Sequence, residues 1–393
     1  VTTHFSTQAV HAGEEKRKPY GAITTPIVQT STYTFEDTAE ILDFMRRKEA
    51  GDPKKRDEYG RYSNPTQSVV ERKIAVLEGG ERCLLFGSGM SATTTAMLAL
   101  LSSGDHLVMV SGVYRRTSDF ARDFLNRWGI ETTFVPIDDP VALAEAVRPN
   151  TRMIFAESPT NPYLRVMDLP KMVEIARRHD IITAIDSTFA TPINMRPLGH
   201  GLDLVIHSAT KYLGGHNDLL AGAVIGSGET MTEIENTRGV LGGVSGPHDV
   251  YLLLRGLKTL GLRVCRQNEN GLRVAQFLAD HPAIRRVYYP GLPSHPDYEV
   301  ARRQMTGFGG VVSFEIEGDK DKTSRFMDRL RLPYIGPTLG GVESIAQQQA
   351  MFISLDPEER RASGIDDNLV RYALGIEDAD DLIADLAQAL AGL

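Results

Sequence analysis

Cysteine is scarce: Cys83 and Cys265 are the two in 393 residues, with no pairing pattern and no zinc-ligand spacing. A disulfide framework and a structural metal site are therefore excluded as organising devices. With no hydrophobic leader in view, the expectation is a reducing cytoplasm. An excess of positive charge is missing too, since 43 Lys and Arg stand against 51 Asp and Glu for a formal net charge of −8. That argues against a general nucleic-acid binder or a protein of acidic membrane surfaces. Residues 83–104 carry no charge and are long enough to raise a membrane span. Gly87-Ser88-Gly89, recurring Ser and Thr and the absence of basic flanks argue instead for a buried core segment. There is no internal repeat and no low-complexity stretch.

What is present reads as an α/β chain. Its length exceeds one ordinary core, and the expected division is an N-terminal arm over 1–52, a large domain over 53–247 and a smaller C-terminal α/β domain over 248–393. Short apolar strands near 106–110, 132–137, 152–156, 181–185, 203–206 and 222–226 alternate with amphipathic stretches near 117–127, 140–147 and 168–178. Such alternation predicts a mostly parallel sheet covered by helices. Asn64-Pro65 suits a helix start and Gly79-Gly80 its end. A long helical pattern runs over 248–280, a strand is expected at Val311–Phe314, and a terminal helix near 379–391. Weak periodicity and many Thr in 1–52 suggest an arm that packs on a partner. Lys54-Lys55-Arg56 reads as a solvated loop.

Three elements carry chemistry. Lys211 follows the apolar run Leu204-Val205-Ile206 and sits among Ser208, Thr210 and Gly214-Gly215. A lysine leaving a buried strand is costly to desolvate, and tends to persist where a lowered pKa or a Schiff base is needed. The alternative is a surface lysine at a strand end. Asp186 closes the run 181–186, at the carboxyl end of a strand where ligands of parallel sheets gather; there it could hold a proton on a pyridine nitrogen, or simply cap a turn. Phe86-Gly87-Ser88-Gly89-Met90 reads as strand, glycine turn and helix, a phosphate cradle. By itself it could equally serve a nicotinamide dinucleotide, although Ala92 stands where a third glycine is expected.

Taken in order, these motifs resemble the cystathionine γ-synthase/γ-lyase family of pyridoxal-phosphate enzymes over nearly the whole chain. The resemblance is carried by Tyr59-Gly-Arg61-Tyr-Ser-Asn64-Pro65, Gly87-Ser-Gly89-Met90, Glu157-Ser-Pro-Thr-Asn161-Pro162, Asp186-Ser-Thr188, Ser208-Ala-Thr210-Lys211, Leu339-Gly-Gly341-Val-Glu343-Ser344 and Leu369-Val-Arg371. It implies the fold type I, aspartate aminotransferase-like architecture and pyridoxal 5'-phosphate as cofactor. Lys211 would then hold the cofactor and act as general base, Asp186 would pair with the ring nitrogen beside Thr188, and Tyr114 would stack on the ring. Gly89, Met90, Ser208 and Thr210 would hold the phosphate, with Tyr59 and Arg61 from a neighbouring subunit. Asn161, Thr338 and Arg371 would bind the substrate α-carboxylate. The implied assembly is a homotetramer, a dimer of dimers, acting on small amino acids, with no metal, nucleic acid or membrane partner.

Two local features bear on the branch. Arg115-Arg116 follow Tyr114, and a basic pair near the ring would favour an anionic leaving group, with Arg116 meeting the γ-substituent of O-phosphohomoserine. Capping a helix start or contacting the phosphate region is the alternative. Pro337 stands where many relatives carry an acid, so recognition of a distal ammonium must differ or be absent. Residues 347–354, Gln-Gln-Gln-Ala-Met-Phe-Ile-Ser, depart from the family pattern and would either reshape the substrate side or repack the small domain. The leading expectation is γ-replacement joining an activated homoserine ester, O-phospho- or O-acyl-, to cysteine to give cystathionine. A cystathionine or methionine γ-lyase, an O-acylhomoserine sulfhydrylase and a specialised γ-eliminating enzyme are the rivals, and a cofactor-binding regulatory protein is the non-enzyme alternative.

Overall fold

The structure is a computed structural model that describes residues 4–51, 56–353, 356, 358, 360 and 364–393. Lys54, Lys55 and Ser354, on which two of the expectations above touch, lie outside the described residues. Seven strands form the first sheet: β1 Arg82–Phe86, β2 His106–Val110, β3 Glu131–Val135, β4 Thr151–Glu157, β5 Ile182–Asp186, β6 Leu204–His207 and β7 Gly222–Gly226. Their spatial order is β1-β7-β6-β5-β4-β2-β3. Only β7 runs against its neighbours, while β6, β5, β4, β2 and β3 are parallel. The carboxyl ends of β4, β5 and β6 consequently open on one side, delivering Glu157, Asp186 and the turn that carries Lys211 to a common edge. Strands β2, β6 and β7 are buried throughout, as expected of strands covered on both faces.

The second sheet is smaller and mostly antiparallel: β8 Ile284–Tyr288, β9 Val311–Ile316, β10 Tyr334–Ile335, β11 Ile345–Gln348 and β12 Leu369–Ala373, in the order β10-β11-β12-β9-β8. Its core, with Phe314, Phe326, Tyr372, Leu382 and Leu386, is separate from that of the large sheet. The uncharged run 83–104 resolves into β1 and the helix Gly89–Leu100. Among the described residues no helix is long and apolar enough to cross a membrane.

The periodic stretch 248–280 is two helices, Pro247–Lys258 and Leu260–Ala279, broken at Thr259. The break has a cause in tertiary packing. Arg263 is buried and donates to the carbonyls of Gly256 (2.8 Å) and Tyr212 (2.8 Å) and to Thr259 Oγ1 (3.2 Å), so that the Gly256 carbonyl, which a continuous helix would satisfy itself, is met by a side chain that also reaches the large sheet. Apolar periodicity cannot register this, because both helices keep the same buried stripe. Leu260 and Val264 belong to the core of the large sheet, whereas Val274, Ala275 and Leu278 belong to that of the small one.

In the N-terminal region, the helix Phe5–His11 packs on the helix Pro65–Glu78 of its own chain, where the buried Lys73 Nζ donates to the carbonyls of Ala9 (2.8 Å) and Val10 (3.0 Å). Asn64 starts the latter helix as the sequence suggests: Oδ1 accepts from the N–H groups of Thr66 (2.9 Å) and Gln67 (3.4 Å), and Nδ2 donates to Val28 O (2.8 Å), tying the arm to the cap. Gly79, at φ +77°, closes it. Replacing Asn64 by Ala removes both functions and should cost about 1–2 kcal/mol, read as a thermal midpoint several degrees lower. Asn64→Asp, which keeps the cap, should lose clearly less; equal losses would deny the cap its part.

Candidate active site

A cavity of about 250 Å³ lies at the carboxyl ends of β4, β5 and β6, walled on the far side by the small domain through Pro337, Leu339 and Arg371. One end is built to hold an anion. Ser88 caps the helix Gly89–Leu100 by accepting from Ser91 N–H (3.0 Å), and the amides of Gly89 and Met90 belong to the first turn, which lacks intrahelical acceptors. Ser208 packs so closely on Gly89 that a Cβ there would stand 2.8 Å from the Ser208 Cβ and 3.0 Å from its Oγ. Thr210 lines the same end, with its hydroxyl bridging the backbone N–H (3.0 Å) and carbonyl (3.2 Å) of Ala221.

The floor is acidic. Asp186 Oδ1 accepts from Thr188 N–H (2.9 Å), and Thr188 Oγ1 accepts from Ser208 N–H (2.8 Å). Burial pushes the Asp186 carboxyl up, opposed by its hydrogen bonds with Thr188 and by His207. Beside it, paired in register across β4 and β5, is Glu157. Burial first, then the neighbouring Asp186, hold Glu157 well above the usual carboxylate range, and its Oε2 accepts the Tyr114 N–H at 2.6 Å. Two carboxyl groups so placed favour one neutral and one charged, with the charged one ready for a cation.

Lys211 reaches the middle of the cavity and donates to Thr338 Oγ1 at 2.8 Å. Burial, then the charge of Arg371, lower its pKa to about 8. Arg371, on β12, donates to Asn161 Oδ1 (3.0 Å), the Thr338 carbonyl (3.1 Å) and Gln347 Oε1 (2.7 Å). Its Nε has no acceptor although it is buried. Tyr114 lines the mouth, half exposed.

The structure thus brings together Gly89, Met90, Tyr114, Asn161, Asp186, Thr188, Ser208, Thr210, Lys211, Thr338 and Arg371. It does not bring in three others. Tyr59 and Arg61 lie away from the cavity lining of their own chain, with Arg61 bonded to the Gly239 carbonyl and lying 4.7 Å from the Tyr62 ring centroid. Arg116 is exposed, paired with Asp119 at 3.3 Å, and outside the lining. Its place on the helix Arg115–Asp119 turns it away from the ring end of the cavity, which adjacency to Tyr114 in sequence could not reveal. Conversely, Glu157, Gln347 and Ser88, each part of a motif or stretch noted in the sequence, contribute without having been given a role of their own. A strand-ending acid like Asp186 is the signal for Glu157; for Gln347 the signal is the unusual stretch 347–354, which does not say what its first residue meets.

A phosphate cradle, an acidic floor and an amine of lowered pKa between them fit pyridoxal 5'-phosphate: anion at the helix start, cationic ring nitrogen against Asp186, carbonyl carbon at Lys211. Fold and donor set define a fold type I, pyridoxal-phosphate-dependent enzyme. The chain belongs to the Cys/Met metabolism PLP-dependent enzymes, whose family pattern it matches over residues 6–391. It is 49% identical over 386 residues to cystathionine gamma-synthase 1, chloroplastic, of Arabidopsis thaliana, spanning 97% of this chain and 68% of that protein. It is 42% identical to cystathionine gamma-lyase of Bacillus subtilis (98% of each chain) and 39% identical to O-succinylhomoserine sulfhydrylase of Pseudomonas aeruginosa, covering 99% and 96%. Among solved structures it is similar to the crystal structure of metB from Corynebacterium glutamicum, with TM-score 0.91 and 35% identity over 100% and 98% of the two chains.

Only the neutral amine of Lys211 can attack a carbonyl carbon, so a pKa near 8 fixes the pH dependence of cofactor uptake. In the apoenzyme, covalent attachment followed by absorbance should quicken about tenfold per pH unit up to about pH 8 and then level off. Arg371→Met removes a positive neighbour and should move that break to higher pH. A wild-type break near the ordinary lysine pKa of about 10.4 would contradict the site described.

Proposed function

We propose that the protein catalyses γ-replacement, joining an O-activated homoserine to cysteine to give cystathionine. The observation that carries the reading is Lys211 held between the acidic floor and Arg371, on a chain 47–49% identical to three plant proteins named as cystathionine gamma-synthases or a probable one. The cofactor, when bound, supplies the sink for the electron pair left when Cα is deprotonated. Arg371, with Asn161 and Thr338 around it, anchors the substrate carboxylate and so fixes which substituent of Cα faces the amine. Lys211 takes the Cα proton, hands it on, and then, swinging within the cavity, takes a Cβ proton, whose C–H electron pair lets the γ-ester leave; the cysteine sulfur then bonds to Cγ, its thiol proton goes to the leaving group, and protons are returned to Cβ and Cα. Thr338 Oγ1 orients that amine by accepting its hydrogen bond. Asp186 keeps a proton on the ring nitrogen, and Glu157 fixes the backbone of Tyr114, the next group able to shuttle a proton. Phe189, Leu220 and Leu339 line the same cavity with apolar surface, limiting water that would turn replacement into hydrolysis.

The ester is left as O-phospho- or O-acyl-, because Arg116 stands in solvent beside Asp119. A second reading, a sulfhydrylase, is favoured by the lining itself: among the described residues its only carboxylates are Glu157 and Asp186 at the floor, and sulfide, unlike cysteine, brings no distal ammonium to be matched. Our reading also includes a homotetramer in which Tyr59 and Arg61 serve the phosphate of an adjacent copy, and a reducing cytoplasm, supported by the free thiols of Cys83 and Cys265.

Holoenzyme given O-phospho-, O-succinyl- or O-acetylhomoserine should form cystathionine when cysteine is present, and only slowly a 2-oxo acid and ammonia when it is not. The 2-oxo acid as main product at saturating cysteine would make it a lyase; homocysteine from sulfide at much higher kcat/KM would favour the second reading. For the shared site, Arg61→Ala and Lys211→Ala proteins should be inactive alone and regain activity when their subunits are exchanged. No recovery in demonstrably mixed oligomers would place every ligand on one chain.

A further inference from the structure

Arg371 is 3% exposed, and the acceptors that hold it, Asn161 Oδ1, the Thr338 carbonyl and Gln347 Oε1, are all neutral. Among the described residues no carboxylate forms an ion pair with it. Arg238, also buried, has Glu71 at 3.0 Å. Arg263 does without a carboxylate, but it lies outside the cavity lining and its Nε and both terminal nitrogens each donate to an oxygen. Among the described residues Arg371 alone combines a place in the lining with a buried, unsatisfied Nε. A buried guanidinium is costly without a counter-ion, so the missing anion is the ligand's.

Gln347 is the partner where charge was a choice. It sits on β11 directly opposite Arg371 on β12, is 5% exposed, and makes the shortest of the three contacts. Glutamate has the same shape, and would bind the guanidinium through a stronger, charge-assisted bond. It would also give Arg371 a resident anion, leaving a substrate carboxylate to compete with it. We propose that Gln347 is a positioning residue that determines carboxylate recognition: its neutral oxygen orients Arg371 while leaving the positive charge for the α-carboxylate of the amino-acid substrate. The proposal rests on Arg371 as the partner of that carboxylate and is independent of which γ-ester is used.

The test is titration of the holoenzyme with L-alanine, followed by cofactor absorbance, with L-alaninamide as the ligand lacking the carboxylate. In Gln347→Glu the Kd for L-alanine should rise at least tenfold, the Kd for the amide should stay within twofold, and the thermal midpoint should be equal or higher. In Gln347→Met, which loses the oxygen and adds no charge, the L-alanine Kd should rise less than in Gln347→Glu. A merely structural role predicts the reverse order, since Glu restores the contact and Met does not. An unchanged L-alanine Kd in Gln347→Glu, or an equal loss for acid and amide, overturns the proposal. Should Gln347→Glu fail to fold, Gln347→Asp carries the same test. Because L-alanine has no γ-substituent, the result stands whether or not γ-replacement is the reaction.

Discussion

Four ionisable side chains are withdrawn from water around one cavity, and no oppositely charged pair is made among them: Asp186 and Glu157 on one side, Lys211 and Arg371 on the other. Burial works against every one of these charges, raising the acids and lowering the bases. Such a set is tolerable because the rest of the structure over-determines it. Parallel strands β4 and β5 fix the two acids in register, backbone and hydroxyl groups hold their oxygens, and the small sheet carries Arg371 on a fully buried strand. A cofactor with an anionic tail and a cationic ring, and a substrate with its own carboxylate, supply the missing counter-charges. The polarity of the site is therefore the mould of its ligands.

Much of this was legible in the sequence, for a reason that differs between its parts. Strands of the large sheet are short apolar runs bounded by Gly, Pro and helix caps, so their positions follow from pattern, and Asp186 and Lys211 declare themselves by ending or following such runs. The capping of Pro65–Glu78 by Asn64 is likewise local chemistry. What depends on long-range packing was not legible. The break at Thr259 is invisible to periodicity because its cause is a guanidinium reaching a carbonyl 51 residues away in sequence. Arg116, two residues from Tyr114 in the chain, is turned outward on a short helix and paired with Asp119. Gln347 lay in a stretch recognised as unusual, but its meaning required the register of β11 on β12.

The small domain is more than a cover. It supplies Thr338, which receives the Lys211 hydrogen bond, and Arg371, whose charge depresses the Lys211 pKa. The loop 157–166 returns the contact, with Asn161 meeting Arg371 and the Pro162 carbonyl accepting from Ser313 Oγ (2.7 Å) on β9. The lowered basicity of Lys211 and the setting of Arg371 are thus properties of the junction between two sheets, each of which alone would hold only half of the cavity.

One of the fastenings of that junction is of an unusual kind. The helix Leu260–Ala279 is rooted in one core and ends in the other, and its Arg263 grips the carbonyl of Tyr212, the residue next to Lys211. Gly215 and Gly256 let the loop after Lys211 and the two helices come this close: a Cβ at Gly215 would stand 1.9 Å from the guanidinium, and one at Gly256 would meet the Gly214 carbonyl at 2.1 Å. The helix is an axle shared by two bodies, with the reactive amine mounted beside its bearing. Any displacement of the small sheet against the large one would be delivered one residue from the Lys211 nitrogen.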